Sequence, residues 1–388
     1  MRAIYDVLVI GAGQAGLACA YFLRRAGVSY LVVDAHPAIG DSWRNRYASL
    51  KLFTPRSMSG LPGTPLPGDP DGYATKDEFA DYLTRYADGL QVATGTRVAK
   101  LRKQGQWFAG TTDDGRLFSS SAVIVASGAF QKPRIPALAA HFPADVRQLH
   151  VADFQDTSSV ADGPVLVIGD GASGRDVAIS LAGSHFGTLS HGRRRKLFPE
   201  RILGRSTWWW LQRLGLLRAR ADSLIGRRMR AIDPFPDRGN DDRSMKRLVI
   251  VLEPRLEAVE GRAAIFADGT RLMPGTVVWA TGYSDEISWM EIDGVSFAVF
   301  TQPDDLEADL KLFRKVLAGQ RDGYTIEKRY LRRDSSIVHV VIHVAAMSAR
   351  RHSINAISVL ADRLMISHSL SLFVAPDCRC KMPDVTSG

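Results

Sequence analysis

Val7-Leu8-Val9-Ile10-Gly11-Ala12-Gly13-Gln14-Ala15-Gly16-Leu17 is met again, 158 residues later, as Val165-Leu166-Val167-Ile168-Gly169-Asp170-Gly171-Ala172-Ser173-Gly174-Arg175. Each copy joins a four-residue β-type run to G-x-G-x-x-G and then to a helical pattern, Leu17 to Arg25 first and Arg175 to Leu181 second. A strand from Tyr30 to Val33 closes the first unit on Asp34, 23 residues beyond Gly11. That is near the spacing of a dinucleotide-binding βαβ unit. Gly11 permits the tight turn, Gly13 lets backbone N–H groups approach a pyrophosphate, and Gly16 lets helix and strand pack closely. The helix N-terminus adds partial positive charge. Gly169, Gly171 and Gly174 repeat these roles, with Ser173 beside them. The fold class that follows is α/β, with two Rossmann-like dinucleotide-binding domains.

The two units differ at the ribose end. Asp34 offers the first a carboxylate that accepts hydrogen bonds from ribose hydroxyls. The matching window of the second is His191-Gly192-Arg193-Arg194-Arg195-Lys196, without a carboxylate. A carboxylate repels a 2′-phosphate, whereas a guanidinium binds phosphate as a bidentate fork. Arg193 and Arg194 therefore make the second site read as NADPH-preferring, a solvated charge run being the alternative for any one arginine.

Outward from the two motifs, composition bounds the rest. The 388 residues allow two or three domains, and 45% hydrophobic with 23% charged residues excludes wholesale disorder. The net charge of +9 is local: residues 191–230 hold twelve Lys or Arg and two acids. Such a block suits a phosphate pocket better than a nucleic-acid surface, so no nucleic-acid partner is expected. Cys19, Cys378 and Cys380 make neither a disulfide framework nor a zinc pattern, and no metal is expected. The longest apolar runs fall short of the ~20 residues that span a bilayer, and no signal peptide is read, so a cytoplasmic setting is expected. Trp208-Trp209-Trp210, then Leu211, Leu214, Leu216 and Leu217, read as an amphipathic helix among arginines, best taken as a buried or partly buried helix in an insertion of the second unit.

With these motifs in place, the chain resembles the two-dinucleotide-binding-domain flavoproteins, and within them the flavin-containing monooxygenases. The branch it resembles most includes plant indole-pyruvate monooxygenases and their bacterial relatives. Gly40-Asp41-Ser42-Trp43 matches the flavin-side Gly-x-x-Trp loop, and Ser49-Leu50-Lys51-Leu52-Phe53-Thr54-Pro55 the next flavin-proximal segment. Val125-Ala126-Ser127-Gly128 and Val278-Trp279-Ala280-Thr281-Gly282-Tyr283 resemble the two A-T-G motifs. Gln148-Leu149-His150 with Asp153-Phe154 resembles the end of the monooxygenase fingerprint F-x-G-x-x-x-H-x-x-x-Y/F, although Ala144 and Val146 stand at its leading positions. Pro55 replaces the asparagine that mammalian-type members carry after Phe-Thr. The resemblance covers residues 1 to about 295.

What it implies is FAD on Gly11, Gly13, Gly16, Asp34, Gly40, Trp43, the backbone around Val98, Ala126 and Gly128. NADPH falls on Gly169, Gly171, Ser173, Gly174, Arg193 and Arg194, with Ala280, Thr281 and Gly282 at the second crossing. It also implies boundaries: an FAD domain of 1–155 and 265–295, and an NADPH domain of 156–264. The implied activity is NADPH-dependent monooxygenation through a C4a-hydroperoxyflavin. The substrate is then a small amine, sulfide, 2-oxo acid or ketone, with molecular oxygen. No catalytic acid or base is named, because the cofactor carries the chemistry.

Beyond residue 295 the pattern changes. Leu306, Leu310, Phe313 and Leu317 share a helix face, and strand-like runs follow at Tyr324–Leu331 and Ile337–Val344, joined through Arg332-Arg333-Asp334-Ser335-Ser336. Residues 296–345 resemble the second half of a PAS domain, lacking its first half and its last strand. Residues 346–388 resemble nothing, and weak ordering is one expectation for them. An atypical C-terminal α+β segment therefore replaces the expected flavin cap. Two alternatives stay open on that ground: an uncoupled NADPH oxidase or reductase with an incomplete cap, and a non-catalytic flavin-binding fusion protein with a sensory-type tail. Neither the substrate nor the oligomeric state is legible.

Overall fold

The computed structural model describes residues 3–105, 107–192, 197–216, 240–286 and 288–291. It also describes the backbone of 235–236 and of four strands further on. The first unit runs β1 (Ala3–Ile10), α1 (Gln14–Arg25), β2 (Tyr30–Val33), α2 (Asp41–Arg44), α3 (Lys76–Tyr86), β3 (Val92–Ala93), β4 (Val98–Gln104), β5 (Trp107–Thr112) and β6 (Leu117–Val125). The second runs β7 (Arg147–His150), β8 (Val165–Ile168), α4 (Ala172–Leu181), β9 (Gly187–Ser190), α5 (Thr207–Arg213), β10 (Val251–Glu253) and β11 (Thr276–Trp279). After β12 (Met290–Glu291) come β13 (Gly323–Leu331), β14 (Ile337–Ala345), β15 (Ile357–Ala361) and β16 (Ser371–Val374).

The first sheet has eight strands in the order β12-β4-β5-β6-β1-β2-β3, with β16 also paired to β6. β1 lies parallel between β2 and β6, in register from Val7 opposite Tyr30 to Ile10 opposite Val33 on one side and from Ala3 opposite Phe118 to Ile10 opposite Val125 on the other. Alternate residues of β1 enter opposite cores, as the two-residue strand period requires. Val9 packs with Leu17 and Ala20 of α1 and Phe79 and Leu83 of α3, while Leu8 and Ile10 pack with Leu101 and Phe108. α3 starts on a capping box in which Thr75 and Glu78 satisfy each other's backbone N–H. Its first-turn acids Asp77 and Glu78 suit the helix N-terminus.

The second sheet has the order β10-β9-β8-β11-β7, every pair parallel. It too is buried on both faces, with Val165, Val167 and Leu189 in one core and Leu166, Phe266 and Trp279 in the other. That accounts for the near-continuous apolar reading of these strands.

The pairing moves two segments across the expected domain boundaries. β7 lies within 1–155 and β11 within 265–295, yet both belong to the second sheet. The reason is that β11 runs parallel to β8 from Thr276 opposite Val165 to Trp279 opposite Ile168, and β7 pairs with the far edge of β11. β12 alone returns to the first sheet, pairing with β4. The helical pattern at Leu306–Leu317 lies outside the described residues. The two strand-like runs form an antiparallel pair from Gly323 opposite Ala345 to Leu331 opposite Ile337. A third strand, β15, pairs antiparallel with β14. Of the tail 346–388, the described residues are β15 and β16. No helix among the described residues is long and apolar enough to cross a membrane.

Candidate functional site

The two glycine fingerprints are near-copies in space. A Cβ on Gly11 would lie 2.3 Å from the Ala126 carbonyl oxygen, and one on Gly169 would lie 2.3 Å from that of Ala280. A Cβ on Gly16 would sit 1.8 Å from the Gly11 oxygen, and one on Gly174 would sit 1.8 Å from the Gly169 oxygen. These glycines are fixed by close approach of backbone. Gly13 and Gly171 differ in kind: a Cβ at either would meet nothing within 4 Å. Each is the N-cap of its helix with no side-chain cap, and neither first turn carries an acid. An open, uncapped helix N-terminus is a place for a phosphate group. The residues present therefore fit a dinucleotide at both fingerprints.

The alanines place the two A-T-G-like motifs. Ala126 follows β6 and donates its N–H to Ile10, while Ala280 follows β11 and donates to Ile168. Each motif thus closes its own fingerprint, the second serving the second unit. Gly128 has φ of +77° and lies in open space, and its carbonyl accepts from the Gln131 amide at 2.7 Å. Gly282 has φ of +81° and accepts from the Arg134 N–H at 3.0 Å. The Thr281 hydroxyl donates to the Arg134 carbonyl.

Asp34 stands where β2 ends. Its carboxylate accepts from the Ala12 N–H at 2.6 Å, from the His36 N–H at 2.8 Å and from His36 Nδ1 at 2.9 Å. Burial opposes its charge, but the His36 and Ala12 hydrogen bonds together hold its pKa below the usual carboxylate range. The hydrogen bond to Asp34 raises the pKa of His36 in turn, against the effect of burial. The Asp34 carboxylate thus braces the fingerprint loop. Gly95 and Thr96 tie the same corner, donating to the carbonyls of His36 and Asp34. Val98 follows them with its side chain in the core, which leaves backbone for any ligand.

Register shows what replaces Asp34 in the second unit. Gly11 donates to the Val33 carbonyl and Gly169 to that of Ser190, so His191 stands where Asp34 does. The neighbouring strand brings a carboxylate that the sequence reading missed. Ser190 pairs with Glu253, as Val33 pairs with Ala93. Burial pushes the Glu253 pKa up, Asp268 adds to the rise, and His191 works against it. Only strand pairing brings Glu253 next to a segment 60 residues earlier. Arg193 and Arg194 lie outside the described residues.

The loop from Gly40 to Tyr47 ties the two units together. Gly40, with φ of +90°, turns tightly against α3, where a Cβ would be 2.7 Å from the Ala80 oxygen. Trp43 then packs edge-on against Phe79 at 4.9 Å and donates from Nε1 to the Gln14 side chain at 3.1 Å, which pins it to the first fingerprint helix. Four residues on, Tyr47 is fully buried in the second unit's core and donates to Asp176 of α4 at 3.0 Å. Asp176 also accepts from the Asn240 amide. α5 braces the following segment, with Trp208 buried and its Nε1 donating to the Phe53 carbonyl at 3.1 Å. Trp209 is exposed, so the helix is partly buried, as read.

Between Trp43 and Tyr47 lies Arg46, which no motif singled out. Its guanidinium carbon is 4.4 Å from the centre of the Phe130 ring and 5.7 Å from that of Tyr283. Phe130 follows the first A-T-G-like motif and Tyr283 the second, and the two rings meet edge-on at 5.1 Å. Behind Tyr283, His150 is 1% exposed and meets that ring edge-on at 4.9 Å. Its Nδ1 accepts from the Ala152 N–H, so Nε2 carries the proton and donates to the Gly282 carbonyl at 3.0 Å. Burial lowers the His150 pKa, which favours this neutral form. His150 thus anchors the second crossing.

Comparison with known proteins agrees with this architecture. The family description "Pyridine nucleotide-disulphide oxidoreductase" matches residues 8–191. An uncharacterised CzcO-like oxidoreductase of Geobacillus kaustophilus is 41% identical over 304 residues, covering 76% of this chain and 85% of its own. An indole-3-pyruvate monooxygenase of Oryza sativa subsp. indica is 27% identical, covering 75% of this chain and 79% of its own. Among solved structures, a flavin-containing monooxygenase from Stenotrophomonas maltophilia superposes with a TM-score of 0.64 at 24% identity, over 78% of this chain and 88% of that one. A cyclohexanone monooxygenase from Rhodococcus sp. Phi1, solved with NADP+ bound, superposes with a TM-score of 0.55 at 17% identity, over 78% of this chain and 78% of that one. The chain belongs to the family of CzcO-like oxidoreductases.

Proposed function

We propose that FAD occupies the first fingerprint and NADPH the second, and that the protein is an NADPH-dependent monooxygenase of a small amine, sulfide, 2-oxo acid or ketone. The observation that carries this reading is the duplicated geometry, Gly11 under Ala126 and Gly169 under Ala280, with an uncapped helix N-terminus in each unit. When bound, the flavin would take hydride from NADPH and activate molecular oxygen. The protein's own part is to bind, orient and exclude water.

Gly13 and the α1 N-terminus hold the FAD pyrophosphate, and Asp34 accepts from the ribose hydroxyls. Gly40 and Trp43 close the flavin side, with the backbone at Val98, Ala126 and Gly128. Gly171, Ser173, Gly174 and the α4 N-terminus hold the NADPH pyrophosphate, and Arg193 and Arg194 take the 2′-phosphate. Ala280, Thr281 and Gly282 form the crossing, held by Arg134 and His150. Glu253 stands beside His191 at this corner, through the pairing of Ser190 with Glu253.

The test is coupling. FAD-loaded protein given NADPH, oxygen and a panel of amines, sulfides and 2-oxo acids is expected to form oxygenated product in step with NADPH consumed. Stoichiometric peroxide with every substrate would replace this reading by that of an NADPH oxidase.

A further inference from the structure

We propose that Arg175 is a positioning residue of the second nucleotide site, which neutralises Asp170 inside the phosphate loop and so lets that loop accept a pyrophosphate. The inference rests on the proposed seating of NADPH at the second fingerprint and adds to it a residue that touches no cofactor.

Comparison of the two fingerprints isolates the pair. Asp170 is the one carboxylate in either G-x-G-x-x-G, and the first copy has Ala12 in its place. Arg175 follows the last glycine of the second copy, where the first has Leu17. Ala12 and Leu17 are buried and apolar, and around them the first unit makes the same close approaches at Gly11 and Gly16 that the second makes at Gly169 and Gly174. The turn itself therefore does not require a charged pair. A buried ion pair also gains little stability over apolar residues of similar volume.

The geometry shows what the pair does. Arg175 donates from Nε to the Asp170 carboxylate, with both side chains buried. Its Nη1 donates to the Asn240 carbonyl at 2.7 Å and its Nη2 to the Asp242 carboxylate at 2.9 Å. All three guanidinium nitrogens are thus engaged within the protein, so Arg175 acts through Asp170 and not as a phosphate ligand. Burial opposes its charge, but the hydrogen bonds to Asp170 and Asp242 outweigh burial and raise its pKa. Asp242 is half exposed, so solvent screens its share of the interaction, and Asp170 is the buried partner. Asp170 immediately precedes Gly171, the N-cap of α4, which has no side-chain cap and open space beside it. A carboxylate there competes with a phosphate for the positive end of the helix and repels it through a medium of low dielectric. Paired with Arg175, that charge is offset at its source. Without Arg175, an uncompensated buried carboxylate would stand beside a doubly charged pyrophosphate.

The test titrates NADP+ and NAD+ by calorimetry into the full chain loaded with FAD. A wild-type chain that takes no FAD, or that binds neither nucleotide, refutes the proposed function and this inference with it, and is recognised before any variant is made. Arg175→Met should weaken both nucleotides by about tenfold or more and by the same factor, because both carry the same pyrophosphate. Its FAD content should match that of the wild type. Adding Asp170→Asn to Arg175→Met should return both affinities to within about threefold of the wild type. That rescue separates charge from scaffolding, since the double variant also lacks the contacts to Asn240 and Asp242. If Arg175→Met does not fold, Arg175→Gln carries the comparison, because it keeps an N–H donor without the charge. The proposal is overturned if the Arg175 variant binds both nucleotides as tightly as the wild type, or if the loss is confined to NADP+. It is equally overturned if the double variant stays as weak as the single one, which would make Arg175 a brace for Asn240 and Asp242 alone.

Discussion

Gly13 and Gly16 stand three residues apart in one turn and are constrained by different things. Gly16 has no room, since its Cβ would enter the Gly11 carbonyl, whereas Gly13 has open space at the helix N-terminus proposed to seat a pyrophosphate. Gly16→Ala should therefore cost several kcal/mol of stability, on the order of a severe backbone clash, and lower the melting temperature of the cofactor-free protein. Gly13→Ala should leave that melting temperature nearly unchanged and weaken FAD binding by about tenfold or more, as read by flavin fluorescence on titration. Equal damage to the cofactor-free fold from both would show that Gly13 is not a ligand seat. The Asp34–His36 pair adds a pH dependence. The Asp34 pKa is depressed, so its contribution is present above the unfolded value and lost as pH falls through the folded one. The His36 pKa is raised, so its contribution is full below the unfolded value of about 6.5 and fades as pH rises through the folded one. The pair thus stabilises most in mildly acidic solution, between these two ranges. His36→Ala should flatten the decline in stability on the alkaline side of about pH 6.5, by less than about 1 kcal/mol because the pair is partly exposed. Urea titrations at several pH values would read it, and an unchanged slope would contradict it.

Elements of the first kind were legible because their demands are local. A four-residue apolar run ending on glycine, followed by a helical pattern, needs no partner to be read, and α1 and α4 begin within three residues of where the patterns start. What depended on pairing was not legible. The repeated A-x-G pattern at Ala126 and Ala280 does not say which sheet each closes; that follows from β11 lying against β8. Glu253 reaches the corner at His191 through β10, and Arg46 meets Phe130 and Tyr283, which lie far along the chain. Tyr47 is the clearest instance. It lies next to the flavin-side motif yet sits in the second unit's core, joined to α4 by its hydroxyl. Tyr47→Phe removes a buried donor from Asp176, which retains Asn240. The cost should be about 1–3 kcal/mol, visible as a lower denaturation midpoint with unchanged slope. A variant as stable as the wild type would mean that the hydroxyl does not hold the two units together.

At the scale of the whole molecule, the parts belong to two nucleotide-binding units joined through the loop from Trp43 to Tyr47 and through the two strand-end crossings. The positive charge after the second fingerprint, read first as a net excess, is proposed to serve as the counter-charge of a 2′-phosphate. The segment beyond residue 291 adds an antiparallel sheet, β13 to β15, and a strand, β16, on β6 from Ala122 to Val125, directly before the Ala126 motif. That strand was not legible, since nothing in Ser371–Val374 names its partner. The central claim is that one unit binds FAD and the other NADPH, close enough to exchange hydride. Its most direct test is anaerobic mixing of FAD-loaded protein with NADPH or NADH while flavin absorbance is followed. The account predicts bleaching of the oxidised flavin band, faster and at lower concentration with NADPH than with NADH. A flavin that binds but stays oxidised with either nucleotide would contradict it.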